Sequence, residues 1–243
     1  MFPYVMIGSV RVASQTVMLV IAFTLNGIYH LKHRSVMKFK KWQALLMIPM
    51  GLYAVFGAKI LSAVETMFKG NSAPFLSKGY SFYGAVFFLP IMIMLSAKLF
   101  RRNPILFLDY HTPLLPISLA IFRLGCFLSD CCGGRPVTFF GGTEVLPVQL
   151  IESMADFGIG MLLLSSLHKP KTKYPMFMLY YGFLRFFLDF FRVGARNFFG
   201  MSKGQMYSIF SVVIGTAWII ISIWREGIFR NVRRRGIYGR ETG

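Results

Sequence analysis

The sequence predicts an all-α polytopic membrane protein with seven transmembrane helices, N-terminus outside and C-terminus inside. Three observations carry that expectation. Of 243 residues, 55% are hydrophobic and only 15% charged, against about 25% charged in soluble domains, and mean hydropathy is +0.57. Seven apolar stretches centre near Val20, Ala54, Leu89, Leu119, Gly160, Gly182 and Ile214; each runs for about 20 residues, enough to cross a ~30 Å hydrocarbon layer as a helix. The basic residues gather in alternate connections.

The first, third and fifth connections, "HLKHRSVMKFKK", "KLFRRNPILFLDYH" and "HKPKTK", hold most of the basic residues together with the tail "WREGIFRNVRRRGIYGR". The positive-inside bias puts these at the cytoplasmic face. The N-terminus and the connections "KGNSAPFLSKGY", "GGRPVTFFGGTEV" and "RVGARNFFGMSKGQ" then face out. Topology thus accounts for 27 Lys plus Arg against 9 Asp plus Glu. No nucleic-acid partner is expected, because the basic runs carry no motif that reads RNA or DNA. Residues 1–243 read as one membrane-embedded domain, with a basic cytoplasmic tail from about residue 225 lying along anionic membrane lipids. A cleavable signal is not expected, since a charged start, an apolar core and an Ala-x-Ala site are missing. A transporter or channel is disfavoured, because the chain shows no internal repeat and the ionisable residues cluster toward one leaflet.

Ionisable side chains inside a membrane are costly, by at least ~2.5 kcal/mol at a helix centre, and usually mark a functional cavity. Arg123 and Asp130 lie toward the outer end of the fourth stretch, and Glu152 and Asp156 near the outer start of the fifth. Arg185, Asp189 and Arg192 lie in the sixth. Lys59 and Glu65, near the outer end of the second, are expected to snorkel to the interface. The fourth and fifth stretches meet at an outer connection and the sixth runs outward, so Arg123, Glu152 and Arg185 are expected to converge in the outer half of the bilayer. That placement suits a lipid headgroup. Arginine makes forked contacts with phosphate, and backbone amides of a glycine turn such as "CCGGRP" can hold phosphate oxygens. The plainer alternative is that Arg185 and Asp189, at i and i+4, neutralise each other. It leaves Arg123 unexplained, since that stretch offers no acid at i±3 or i±4.

Cys126, Cys131 and Cys132 invite a metal or redox reading. Zinc is disfavoured, because His111 would stand about 22 Å from Cys126 along a helix. A Cys126–Cys131 disulfide needs Cα atoms within roughly 7 Å, which an intact helix does not supply at a five-residue offset. Packing as small apolar side chains is the expectation for all three.

Five motifs occur in order: "YSFYGA", "LDYHTPLLPISLAIFRLGCFLSDCCGGRP", "LPVQLIE", "YGFLRFFLDFFR" and "SKGQMYS". They resemble the signatures of the prolipoprotein diacylglyceryl transferase family of bacterial inner membranes. In the longest, Asp109, Pro113, Pro116, Arg123, Gly125, Phe127, Gly134 and Arg135 stand where the family has them. The resemblance implies transfer of the diacylglyceryl group of phosphatidylglycerol to the lipobox cysteine thiol of a signal-peptide-bearing prolipoprotein, with release of glycerol phosphate. It implies a multi-pass protein of the bacterial inner membrane whose active site opens toward the outer leaflet. No metal or diffusible cofactor is implied. Carried over, Arg123 and Arg185 hold the phosphate that leaves, Asp189 orients Arg185, and Arg192 assists. Gln15, Cys126, Gly134, Arg135, Gln149, Glu152 and Gln205 fall at positions that bind the substrate or brace the cavity.

The departures concern groups that handle protons and hydrogen bonds. Tyr83 stands at the position of the family histidine, Cys126 at an asparagine, Cys131 at a glutamate and Leu146 at a second histidine. Gln15-Thr16 stands for Tyr-Gly, and Phe122 for the glycine before Arg123. A tyrosine, with an ordinary pKa near 10, is a poor base at neutral pH but can donate a hydrogen bond. Transfer to another acceptor, or phospholipid binding without catalysis, is the alternative.

Overall fold

A computed structural model describes residues 2–33, 35, 47–67, 81–131, 133–139, 142–165, 171–193, 196–198 and 200–238. Helices cover every centre expected from hydropathy: α1 (Ser14–Lys32), α2 (Met47–Met67), α3 (Phe82–Leu99), α4 (Pro104–His111) with α5 (Leu114–Leu128), α6 (Val148–Leu164), α7 (Lys173–Leu188) and α8 (Lys203–Tyr238). Among the described residues three segments, Phe82–Leu99, Pro104–Leu128 and Lys203–Arg225, are long and apolar enough to cross a membrane. Large apolar side chains such as Met154, Phe187 and Trp224 lie on the outer surface, as contact with lipid tails requires.

Local chemistry sets the helix ends that shape the site. Asn103 accepts hydrogen bonds from the amides of Ile105 and Leu106 and caps α4, with Pro104 at the first helical position. The third connection expected from the sequence is thus partly helical, and the chain breaks at Thr112 and Pro113 before α5 begins. Asp109 accepts from the amides of Lys173 and Tyr174 at 3.1 and 3.4 Å, which caps α7 from a distant part of the chain. At the end of α5 the amide of Cys131 donates to the Cys126 carbonyl at 3.1 Å and that of Asp130 to Phe127 at 3.2 Å. Asp130 has φ +52°. This is a Schellman cap with aspartate in the left-handed position.

The described residues are mostly helical, as the all-α fold class expects, and they add short strands that the sequence did not announce. Three antiparallel two-stranded hairpins pair β1 (Tyr4–Ile7) with β2 (Val10–Ala13), β3 (Pro136–Phe139) with β4 (Gly142–Val145), and β5 (Arg196–Phe198) with β6 (Met201–Ser202). Their strands hold two to four residues each, too few to print a period-2 pattern beside long apolar runs. Gly8, at φ +62°, supplies the positive φ that the two-residue turn between β1 and β2 needs.

The core gathers Tyr83 and Ile93 of α3, Phe107 and Leu108 of α4, Leu163 of α6 and Tyr174, Phe177 and Tyr181 of α7. Close helix contacts depend on small residues, as in other membrane bundles. A Cβ on Gly182 would lie 2.8 Å from Val212 Cγ2 and 3.1 Å from the Ser208 carbonyl, so α7 and α8 meet backbone to backbone there. Ser153 of α6 donates to the Ala120 carbonyl of α5 at 2.7 Å, and Asn26 of α1 to Ser118 Oγ at 2.8 Å. These contacts fix α5 between α1 and α6, and so fix the helix that carries Arg123.

Lys59 does not snorkel as expected. Lys59 is buried. Glu65 accepts from Lys203 Nζ at 2.6 Å and from the Tyr207 hydroxyl at 2.9 Å, which joins α2 to the start of α8. Hydropathy could not show this, because the partners lie far apart in sequence.

Candidate functional site

Glu152 stands in the first turns of α6 and is fully buried. Arg123 Nη2 of α5 lies 3.1 Å from its Oε1, and Arg185 Nη1 of α7 lies 3.0 Å from the same atom. Arg185 Nη1 also lies 3.1 Å from Oε2, and Arg192 Nη2 is 3.6 Å from Oε2. Three guanidinium groups thus converge on one carboxylate. The paired arrangement at i and i+4 is present too, with Arg185 Nη2 3.2 Å from Asp189 Oδ1. It does not act alone, because Arg185 bridges two acids from different segments. Burying these charges is costly, and only their mutual pairing makes the cluster tolerable in a bundle core.

Asp189 follows α7 in a short 3-10 turn, Asp189–Phe191. Its carboxylate accepts from the Ser202 hydroxyl. Ser202 Oγ in turn accepts from the Gln205 amide at 3.0 Å, while Gln205 Oε1 accepts from the Ser202 amide at 3.0 Å. These two reciprocal bonds form a capping box at the start of α8. The Asp189 negative charge therefore sits at a helix N-terminus, where the dipole favours it. Gly204 makes the approach possible, because a Cβ there would lie 2.8 Å from Asp189 Oδ2. Gln205 thus braces the site through the backbone, with its Nε2 buried and unpartnered among the described residues.

The chain between α5 and α6 straps the cluster from outside. Gly134 donates its amide to the Leu146 carbonyl at 3.1 Å and forms an antiparallel bridge with Arg192. The Arg135 amide donates to the Phe191 carbonyl at 2.7 Å, and Arg135 Nε to the Arg192 carbonyl at 3.2 Å. A Cβ on Gly134 would fall 2.6 Å from Val148 Cγ2, so only glycine fits. The expectation that amides of this turn hold phosphate oxygens is corrected for these two residues. Both amides are bound to carbonyls, and the Arg135 side chain is exposed. Gln149 Nε2 donates to the Cys131 carbonyl at 2.7 Å, joining the same strap to α6.

Tyr83 is buried on α3, and its hydroxyl pairs with Ser208 Oγ of α8 at 2.6 Å. Its ring lies 5.7 Å from that of Tyr181 and 5.4 Å from that of Tyr207, centroid to centroid. Gln15, in the first turn of α1, points Nε2 at Cys131 Sγ (2.7 Å) and Cys126 Sγ (3.9 Å). Cys126 is buried, as expected of a packing residue, while Cys131 is partly exposed. The helix ends at Leu128, so the premise that a continuous helix keeps Cys126 and Cys131 apart does not hold. Cys132 lies outside the described residues.

Asp156, one turn beyond Glu152, is fully buried, and neither carboxylate oxygen has a hydrogen-bond partner among the described residues. The Tyr181 hydroxyl, Arg123 Nε and Gln149 Oε1 are likewise unpartnered. Buried polar atoms are nearly always satisfied, and these four side chains leave polar atoms without a hydrogen-bond partner among the described residues. Asp156 was legible as an acid at i+4 from Glu152. Tyr181, Ser202 and Ser208 carried no comparable signal, although Ser202 and Gln205 show the Ser-x-x-Gln spacing of a capping box. Among the described residues no three His, Cys, Asp or Glu side chains form a metal site.

A family model for prolipoprotein diacylglyceryl transferase matches residues 4–221. The chain belongs to the prolipoprotein diacylglyceryl transferase family. The match takes in the first seven helices named above, α8 as far as residue 221, and every residue of the Arg123–Glu152–Arg185 cluster. Phosphatidylglycerol–prolipoprotein diacylglyceryl transferase 2 of Clostridium perfringens is 29% identical over 182 residues, 66% of this chain and 71% of that protein. The enzyme of the same name without the numeral from Mannheimia succiniciproducens is 29% identical over 171 residues, 63% of each chain. That of Clostridium tetani is 29% identical over 156 residues, 58% of this chain and 63% of that one. The chain thus spans less than two thirds of the length of the latter two relatives. The diacylglyceryl transferase relatives are bacterial, and the long apolar helices of this member agree with a membrane protein.

Proposed function

We propose that this protein transfers the diacylglyceryl group of phosphatidylglycerol to the lipobox cysteine of a prolipoprotein still held by its signal peptide. The observation that carries the reading is the meeting of Arg123 and Arg185, from separate helices, on one buried oxygen of Glu152. Arg123, Arg185 and Arg192 stand against the two carboxylates they contact, Glu152 and Asp189. With Asp156 buried one turn beyond Glu152, three arginines stand with three acids. A phosphodiester monoanion competes with these carboxylates for guanidinium donors that match its oxygens in pairs.

In the reaction, the acceptor sulfur attacks the glycerol carbon that bears the phosphate. A C–S bond forms, the C–O bond breaks, and glycerol phosphate leaves with the electron pair and takes up the proton released by the thiol. Charge on the departing phosphate grows as the bond breaks, and fixed arginines in a dry site stabilise it without reorganising. Asp189 and the capping box hold Arg185 in place. Thiols titrate near 8.5, and neighbouring arginines favour the thiolate. Tyr83 acts here as a hydrogen-bonding and packing residue, since its hydroxyl already pairs with Ser208. Tyr83→Phe is expected to keep the transfer rate within about tenfold, the scale of one neutral hydrogen bond. A fall beyond a hundredfold assigns the hydroxyl a chemical role instead.

The wider setting belongs to the same proposal: seven spans with the N-terminus out and the C-terminus in, the inner membrane of a bacterium, and a site that opens to the outer leaflet. The chain forms one membrane domain, and its basic end from about residue 225 lies along anionic lipids. The test is incubation of the purified protein with phosphatidylglycerol and a lipobox peptide, followed by mass spectrometry. A diacylglyceryl adduct on the cysteine supports the assignment. Bound phosphatidylglycerol without adduct supports a lipid-binding role, and an adduct on a different acceptor supports changed specificity.

A further inference from the structure

Cys126 and Cys131 are thiols that flank the Schellman cap of α5. In this cap the two outermost positions are held by a hydrogen bond across the turn, and their side chains are frequently in contact. Here that bond, from the Cys131 amide to the Cys126 carbonyl, is 3.1 Å long. With ordinary covalent dimensions it keeps the two Cα atoms within roughly 7 Å, the outer limit for a disulfide. The side chains point the same way, because one nitrogen of Gln15 lies 2.7 Å from the Cys131 sulfur and 3.9 Å from the Cys126 sulfur. Two thiols therefore share one small volume, one buried and one reachable from solvent.

We propose that Cys126 and Cys131 form a reversible disulfide across the end of α5. Oxidation begins at the accessible member. The Cys131 thiolate attacks a sulfur of an external disulfide, which expels one thiolate and leaves a mixed disulfide on Cys131. The Cys126 thiolate then attacks the Cys131 sulfur and expels the second. The two cysteines lose two electrons and two protons together, and the external disulfide becomes two thiols. On the proposed topology this cap faces the cell exterior, where disulfides persist. The bridge closes the turn that leads into Gly134 and Arg135, and Gln149 already joins the Cys131 carbonyl to the helix that carries Glu152. It thus locks the strap over the arginine cluster to the end of α5.

The test uses the full chain, purified and equilibrated with reduced or oxidised glutathione, then denatured, alkylated with N-ethylmaleimide and weighed intact. The chain has three cysteines, so the reduced protein is expected to take three adducts and the oxidised protein one, at Cys132. Peptide mapping is expected to find the Cys126–Cys131 link. The link is expected to persist in Cys132→Ser and to vanish in Cys131→Ser, which then alkylates fully in either buffer. Three adducts on the oxidised wild-type chain, a bridge that includes Cys132, or a bridge between two chains overturns the proposal. Neither outcome depends on lipid transfer, so failure here leaves the proposed activity untouched.

Discussion

Arg123→Ala and Arg185→Ala are each expected to lower diacylglyceryl transfer to a lipobox peptide by at least about a hundred- to a thousandfold, the range for removing one charge-stabilising donor from a preorganised site. The fold is expected to survive both changes. Each variant leaves Glu152 with two of its three arginine contacts, because Arg123, Arg185 and Arg192 all reach the same carboxylate. The loss should therefore appear in turnover at unchanged helix content and with a melting temperature close to that of the wild type. Arg123→Lys separates charge from shape, since lysine keeps the positive charge but cannot fork. It is expected to stay well below wild-type activity. A single alanine variant with wild-type transfer would remove that arginine from the reaction.

Glu152→Ala is expected to act on the fold itself. Removing the shared partner takes one carboxylate from three guanidinium groups in a core where Arg123, Arg185 and Arg192 are mostly enclosed, and leaves Arg185 its pair with Asp189. Breaking a buried ion pair on one side costs about 3–5 kcal/mol, a large part of the stability of an ordinary domain. Thermal unfolding in detergent should show a loss of cooperative structure or a melting temperature lower by many degrees. Glu152→Gln is expected to fall between, because it keeps one acceptor oxygen but sets an amide nitrogen against a guanidinium. The contrast between the glutamate and the arginines is the useful result. If Glu152→Ala folds as well as Arg123→Ala, the carboxylate is not the centre of the cluster.

Hydropathy placed a helix at each of the seven expected centres, because a membrane helix must satisfy its backbone internally and show lipid an apolar surface, but it read α4, Pro104–His111, as part of a connection. Hydropathy and charge also named the residues that meet, since Arg123, Glu152 and Arg185 were the charges with least reason to be buried. What they missed is tertiary. That Glu65 pairs with Lys203 and Tyr207, or that Asp109 caps a helix more than sixty residues away, leaves no local trace. The hairpins escaped because a strand of four residues carries too short a pattern. The end of α5 was misjudged for a different reason: Asp130 takes the left-handed position usually filled by glycine, so no glycine marked the stop before Gly133. The glycine turn looked like an anion cradle, yet its Gly134 and Arg135 amides are bound to the Leu146 and Phe191 carbonyls.

The most direct measurement is an experimentally determined map of the protein embedded in phosphatidylglycerol bilayers. A lipid phosphorus between the guanidinium groups of Arg123 and Arg185, about 4 Å from each as paired N–H to oxygen bonds require, is the predicted result. Phosphorus density that lies only at the membrane surface, with both arginines still closed on Glu152 while transfer proceeds, would contradict it.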